Sequence, residues 1–114
     1  MQRDEATLVD LHKASRLALH FVEGMTRETF LEDSKAQAAA LHELMIIGEA
    51  AKRLSRDFRD EHPDIRWRSM AGMRDKLIHA YDAVDLEEVW KTLRTDIPEL
   101  LNFLEPFVPL NDGF

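Results

Sequence analysis

Apolar side chains recur every three or four positions along most of the chain, and they nowhere alternate with polar ones as a half-buried β-strand requires. This repeat places the apolar residues on one face of successive helices. A chain of 114 residues suits one domain, so we expect a single all-α domain over residues 1–114. It should be a bundle of four main helices with one or two short extra helices, and residues 110–114 should form a frayed tail.

Helix breakers and capping residues divide the repeat into segments. Ser34 and Gln37, and likewise Asp85 and Glu88, have the spacing of a capping box, which satisfies free backbone N–H groups at a helix start. Pro98 lacks an N–H group and should kink the last helix. The predicted helices run from about Asp4 to Gly24, from Thr26 to Asp33, from Ser34 as a long central helix, from about Arg66 to His79 or Ala80, and from Asp85 onward.

The long central helix carries small residues and one isolated carboxylate. Gly48 and the alanines that follow it should let a neighbouring helix approach closely. Glu49 lies in the same apolar stretch and should not be buried without a partner. We therefore expect an ion pair between Glu49 and either Arg53 or Arg74.

Signals for a metal or cofactor are weak. The chain has no cysteine, which excludes disulfides and thiolate–metal sites. His12 and His20 lie two turns apart on the first helix, too far for a helical metal-binding pair, and are interpreted as surface or interface histidines. No metal site and no cofactor are predicted.

Charge is unevenly distributed along the chain. The formal net charge of −7 argues against a general nucleic-acid binder. Residues 52–76, however, contain eight of the 15 Lys and Arg and five of the 22 Asp and Glu, a local charge of +3. This basic segment either contacts RNA or pairs its arginines with nearby carboxylates. Those carboxylates are Asp57, Asp60, Glu61 and Asp64.

No apolar run approaches the length that spans a bilayer, and the N-terminal residues do not resemble a signal peptide. These observations favour a cytoplasmic protein that does not bind membranes.

Arg74, His79 and Tyr81 form the pattern Arg-x4-His-x-Tyr at the end of the fourth helix. On a regular helix Arg74 and His79 point roughly 140° apart, so one helix cannot aim both at one atom. Either the helix loosens near His79, or another element completes the site. Asp75 and Asp82 lie about one turn from His79 on either side, and a carboxylate there could orient the imidazole.

An arginine together with a histidine is sufficient for metal-free cleavage of RNA. The histidine can remove a proton from the 2′-hydroxyl or give one to the leaving oxygen. The arginine can offset the charge that develops on the phosphorane. The spacing alone also fits a structural role, in which Arg74 pairs with a carboxylate and His79 is favoured by the helix dipole.

Several separated blocks carry a more specific signal than this spacing. In chain order they are residues 46–55, His62-Pro63, Trp67, residues 71–79 and residues 84–90. In these blocks and their order the chain resembles the HepT-like family of the HEPN superfamily, also known as DUF86, over nearly its whole length.

The resemblance implies a HEPN-type four-helix bundle that forms a homodimer, with two copies of the motif helix facing one cleft. It implies the toxin of a type VII toxin–antitoxin pair, a metal-independent ribonuclease with Arg74 and His79 as its catalytic pair. An MntA-like nucleotidyltransferase antitoxin would silence it by transferring AMP to Tyr81. Many HEPN proteins have asparagine where this chain has Asp75, and this carboxylate would either orient His79 or repel the RNA phosphate.

Two other functions fit the same residues. The chain could be a non-catalytic module that binds a nucleotide or presents Tyr81 to the nucleotidyltransferase, an interpretation that the acidic net charge and Asp75 favour. It could also be a purely structural dimerisation bundle, in which Arg74 and His79 are replaceable.

Overall fold

All regular structure in the described part of the chain is helical. The computed structural model describes residues 2–109, with side chains from residue 4 onward. Its helices are α1 (Gln2–Phe21), α2 (Arg27–Leu31), α3 (Ser34–Arg53), α4 (Arg56–Glu61), α5 (Trp67–His79), α6 (Leu86–Arg94) and α7 (Asp96–Leu104). Two 3-10 turns, Tyr81–Ala83 and Glu105–Phe107, follow α5 and α7. The tail predicted at residues 110–114 lies outside the described residues.

Four helical members make the bundle: α1, α3, α5 and the consecutive pair α6 and α7. The central member is α3, which packs against both α1 and α5, while α1 also packs against α7. The buried apolar residues of α3 include Leu44, Ile47 and Ala51, as its broad apolar band predicted. The all-α, HEPN-type architecture is therefore confirmed. Within residues 2–109, no helix combines the length and apolarity needed to cross a bilayer.

The capping box predicted for α3 is wrong by one residue. Asp33 is the N-cap, and its Oδ1 accepts a hydrogen bond from the Ala36 backbone N–H at 2.9 Å. Gln37 instead donates to the carbonyl oxygen of Phe30 at 3.0 Å, which ties α3 to α2. Aspartate and serine are both favoured at N-caps, so neighbouring candidates cannot be separated by type alone.

The caps predicted for α2 and α6 are present. Thr26 caps α2, and the Asp85 side chain accepts from the backbone N–H groups of Glu87 and Glu88. The Glu88 carboxylate, the expected second half of the box, points toward Lys76 Nζ at 3.8 Å. The sequence thus located the start of α6 correctly.

The kink predicted from Pro98 is a complete break at Thr95, between α6 and α7. A proline ring clashes with the carbonyl four residues earlier, which belongs here to Arg94. The Thr95 hydroxyl donates to the carbonyl oxygen of Lys91 at 2.7 Å and so satisfies an acceptor at the end of α6.

The two histidines of α1, interpreted from the sequence as surface or interface residues, lie in different environments. His20 is exposed, but His12 is buried, and its Nε2 lies 3.1 Å from Glu105 Oε2. Glu105 belongs to the 3-10 turn after α7, a contact across 93 residues that periodicity alone does not reveal. His12 therefore joins α1 to the end of the bundle.

Candidate active site

The position of Arg74 is set by a close approach of α5 to α3. A β-carbon placed on Gly48 would lie 2.3 Å from Arg74 Cβ and 2.5 Å from the carbonyl oxygen of Met70. Neither atom belongs to the mobile end of a side chain, so glycine is required at residue 48. The close packing predicted for Gly48 is thus present, and it lies directly beside the motif arginine.

Arg74 belongs to a network of four charged side chains, which we call the charge quartet: Glu49, Lys52, Arg74 and Asp75. One guanidinium nitrogen of Arg74 lies 2.9 Å from Glu49 Oε1, and another donates to Asp75 Oδ1 at 3.1 Å. Lys52 Nζ donates to the same Asp75 oxygen at 3.3 Å. The predicted pairing of Glu49 with Arg74 is found, and two cations balance two carboxylates.

The quartet holds Arg74 in one orientation without covering it. The Arg74 side chain is 23% exposed, and its Nε is buried without a hydrogen-bond partner among the described residues. Hydrogen bonds from Arg74, and then from Lys52, lower the pKa of the Asp75 carboxyl. Asp75 therefore stays ionised and serves as an acceptor rather than as a proton donor.

His79 is the last residue of α5 and is exposed to solvent. Among side chains 4–109 it has no hydrogen-bond or ion-pair partner. Asp75, which the sequence placed on its face, is engaged by Arg74 and Lys52 instead. Asp82 lies in the 3-10 turn, beyond the end of the helix. The expected carboxylate contact to the imidazole is therefore not seen.

The helix does not loosen to bring Arg74 and His79 together. It is continuous from Trp67 to His79, so the roughly 140° between the two side chains persists. Arg74 faces α3, whereas His79 lies on the open side of α5. One chain alone does not bring the two motif side chains to one point.

Tyr81 lies in the 3-10 turn just after α5 and is 54% exposed. It lines a small cavity of about 200 Å³ between α3 and the end of α5. The other lining residues are Ala38, Leu41, His42, Met45 and Leu77. Its hydroxyl is thus on an accessible part of the surface, close to the motif helix.

The basic segment is largely paired, though not with the predicted carboxylates. Five of its eight cations form ion pairs, and their partners lie on α1, α3, α5, α6 and α7. Among the described side chains, Arg56, Arg59 and Arg68 have no ion-pair partner. The residues that the sequence suggested as partners, Asp57, Asp60, Glu61 and Asp64, make none of these pairs.

A cavity of about 800 Å³ lies elsewhere, between α3, α5, α6 and α7. Lys76 and Met73 line it, but Arg74 and His79 do not. Within residues 4–109, no cluster of three or more His, Asp or Glu side chains is placed to hold a metal ion. The chemistry-bearing residues therefore lie on open surface rather than in a deep pocket.

Comparison with known proteins assigns the chain to a family. A model of the ribonuclease HepT-like family matches residues 11–107, which contain the whole motif helix. The chain belongs to the HepT-like family. A protein of Thermococcus cleftensis named a probable ribonuclease HepT is 50% identical over 93 residues, which cover 82% of this chain and 84% of that one.

Two more HepT-like relatives are named as candidate RNases. One, from Caldanaerobacter subterraneus subsp. tengcongensis, is 44% identical over 69% of this chain and 70% of its own. The other, from Methanocaldococcus jannaschii, is 35% identical over 95% of this chain and 89% of its own. No solved structure matches the chain.

Two neighbours of the HepT-like motif escaped prediction from the sequence. Lys52 joins Asp75 across helices, and His42 lies beside Tyr81 in the small cavity. Both follow from the register in which α3 packs on α5. Only the glycine at residue 48 signalled where the two helices meet.

Glu43 on α3 is buried, with 6% of its surface exposed, beside a groove of about 550 Å³ between α1 and α3. Burial raises the pKa of its carboxyl, while His42 and Lys13 act in the opposite direction. Because the folded-state pKa lies above the unfolded one, the ionised carboxylate opposes folding above the folded-state pKa. That cost disappears below the unfolded pKa.

Replacing Glu43 with glutamine is therefore expected to raise the free energy of unfolding at neutral pH. The gain should shrink as the pH falls to about 4, where the unfolded carboxyl also binds its proton. Urea unfolding of wild type and Glu43→Gln at both pH values measures the difference. The exposed Glu32→Gln change is the control. A gain that is the same at both pH values would contradict the assignment.

Proposed function

We propose that this HepT-like protein is a ribonuclease toxin of the type VII class, which acts as a homodimer without a metal ion. Membership of the ribonuclease HepT-like family is the observation that carries the proposal. The motif residues support it, since Arg74 is held by two carboxylates and His79 is exposed without a hydrogen-bond partner among side chains 4–109. We assign both as catalytic residues, with Asp75 in a supporting role.

A second copy of the chain provides the arrangement that one chain lacks. Arg74 packs against α3 but its side chain is still 23% exposed, and His79 is exposed at the end of the same helix. In the proposed dimer the two α5 helices face one cleft, so that His79 of one copy lies beside Arg74 of the other.

In this dimer the residues have distinct roles. His79 accepts the proton of the RNA 2′-hydroxyl, whose oxygen attacks the phosphorus, and the resulting imidazolium gives this proton to the leaving 5′-oxygen. Arg74 stabilises the negative charge on the phosphorane oxygens. To do so it must exchange a carboxylate contact for a phosphate oxygen, while Lys52 keeps Asp75 paired.

Silencing is proposed to act through Tyr81. Its exposed position after α5 makes the hydroxyl reachable by an MntA-like nucleotidyltransferase antitoxin. Transfer of AMP to that oxygen adds bulk and negative charge beside the motif helix, and the added charge repels RNA.

The proposal is tested by measuring intact mass and RNA cleavage in parallel, on protein prepared alone and with its nucleotidyltransferase. Unmodified protein is expected to cleave RNA in the presence of a chelator that removes divalent metal ions. Protein that carries AMP on Tyr81 is expected not to cleave RNA. A protein that accepts AMP but never cleaves RNA would show that the ribonuclease assignment is wrong.

Tyr81→Phe is expected to escape silencing, because phenylalanine has no hydroxyl to accept AMP. Its RNA cleavage should be equal with and without the antitoxin and ATP, whereas the wild-type rate should fall. Mass spectrometry should find no added AMP on the variant. Transfer of AMP to another residue, with loss of cleavage, would contradict the assignment of Tyr81.

A second candidate function is a non-catalytic module that binds the nucleotidyltransferase or a nucleotide. The neutral charge quartet favours it, because both carboxylates already occupy Arg74. This function predicts complex formation and AMP transfer with no RNA cleavage by unmodified protein, so the same experiment separates the two.

A further inference from the structure

The cavity beside Tyr81 has a composition unlike that of the charge quartet. Its walls are the side chains of Ala38, Leu41, Met45 and Leu77, and its polar groups are the imidazole of His42 and the phenol of Tyr81. Among the described side chains, no carboxylate, lysine or arginine lines it. With a volume of about 200 Å³ it has room for one flat ring system but not for a larger ligand.

The cavity is continuous with the motif along the α3–α5 interface. The two helices run in opposite directions, since Gly48 meets Arg74 and Met70, whereas Met45 shares the cavity with Leu77. Met45 also lines the α1–α3 groove, together with Glu49 of the charge quartet. From Met45 to Glu49 is about one turn of helix, roughly 6 Å along α3. The cavity and Arg74 are thus neighbouring positions on one surface.

We infer that this cavity is a nucleobase subsite, which takes the base of a nucleotide next to the cleaved phosphate in single-stranded RNA. The inference rests on the ribonuclease function proposed above. An apolar recess with an exposed aromatic ring suits a base, which stacks on aromatic side chains in sequence-tolerant RNA binding. Among the described side chains a phosphate finds no cation in the cavity, but it finds Arg74 about one turn of α5 from Leu77 and Lys52 about two turns of α3 from Met45.

His42 adds hydrogen bonding to the stacking surface. It is exposed at the cavity rim, and its imidazole offers a donor and an acceptor to a base edge. The subsite also gives silencing a specific form, because an AMP attached to the Tyr81 oxygen carries a base that can occupy the same cavity. Modified protein would then block its own RNA site with a nucleotide.

An abasic scan tests the subsite by binding. The probes are short 2′-O-methyl oligoribonucleotides, which lack the hydroxyl needed for cleavage, with a single abasic position moved along the strand. Fluorescence anisotropy is expected to show one position at which removing the base raises Kd about tenfold, the effect of losing one stacked base. The ratio of the Kd of the abasic probe to that of the complete probe should fall toward one in two variants. These are Ala38→Trp, which fills the cavity from an exposed helix position, and His42→Ala.

His20→Ala removes an exposed histidine of α1, which does not line the cavity, and is expected to keep the wild-type ratio. Cleavage of the matching unmodified RNA is measured on the same preparations. The subsite is overturned, while the ribonuclease assignment stands, if the protein cleaves RNA but no abasic position changes Kd. The same holds if the protein cleaves RNA but the Kd ratio is unchanged in Ala38→Trp. A base-dependent Kd with no cleavage overturns the ribonuclease assignment and keeps the subsite.

Discussion

RNA cleavage by Arg74→Ala and by His79→Ala is expected to fall by about a hundredfold or more in each variant, the usual loss when a general acid–base or a charge-stabilising group is removed. Mixing the two inactive variants is expected to restore activity. If the site takes Arg74 from one copy and His79 from the other, each mixed dimer contains one intact site. Random pairing of equal amounts then yields roughly a quarter of the wild-type activity.

Restored activity on mixing would distinguish a site shared between two copies from a site within one chain. If each site used Arg74 and His79 of the same chain, no chain in a mixed dimer would contain both residues, and the mixture would stay inactive. His79 is exposed and unpaired in the described part of the chain, so its loss should leave the bundle intact. Circular dichroism and oligomeric state, compared with the control variant His20→Ala, verify this. Wild-type cleavage by His79→Ala would show that the histidine has no catalytic role.

Gly48→Ala is expected to destabilise the protein by about 3 kcal/mol, at the upper end of the usual cost of overpacking. The new methyl group would collide with Arg74 Cβ and with the carbonyl oxygen of Met70, so α3 and α5 would have to separate. Their separation would also move Arg74 away from Glu49. We therefore expect cleavage to fall even at temperatures where the variant remains folded.

Gly72→Ala provides a matched control on the neighbouring helix. No atom of another described element lies within 4 Å of the position its methyl group would take, and alanine favours helix over glycine by roughly 0.8–1.0 kcal/mol. Urea unfolding should thus show opposite effects for the two glycine variants. A Gly48→Ala protein as stable as Gly72→Ala would mean that α3 and α5 are further apart than described.

The helical architecture could be predicted because it depends on local signals. The signals were the apolar repeat and the helix-end residues Gly24, Thr26 and Asp85, each of which acts within a few residues of its own position. The helices begin and end close to the positions that these signals predicted. Pro98 also acted locally, although the break falls three residues before it. The Asp33 cap was missed only because an equally suitable residue stands beside it.

The site could be predicted in part, for a related reason. Glu49 could be matched with Arg74 because a carboxylate in an apolar stretch needs a cation. The contacts of Lys52 with Asp75, and of His12 with Glu105, join residues 23 and 93 positions apart and depend on the register between helices. No residue pattern within one helix encodes that register. Because Asp75 pairs with Lys52 of α3 and with Arg74, the expected contact between Asp75 and His79 is absent among the described side chains.

The charge quartet has a consequence for how binding depends on salt. Arg74 and Lys52 are already neutralised by Glu49 and Asp75. An RNA phosphate that binds there releases a cation from the RNA, but it also displaces a carboxylate of the protein, which attracts a cation from solution. The entropy gained by ion release is then largely cancelled at this position. Added salt would weaken the internal pairs and the RNA contact together, so the affinity for RNA would fall less steeply with ionic strength than the number of cations suggests.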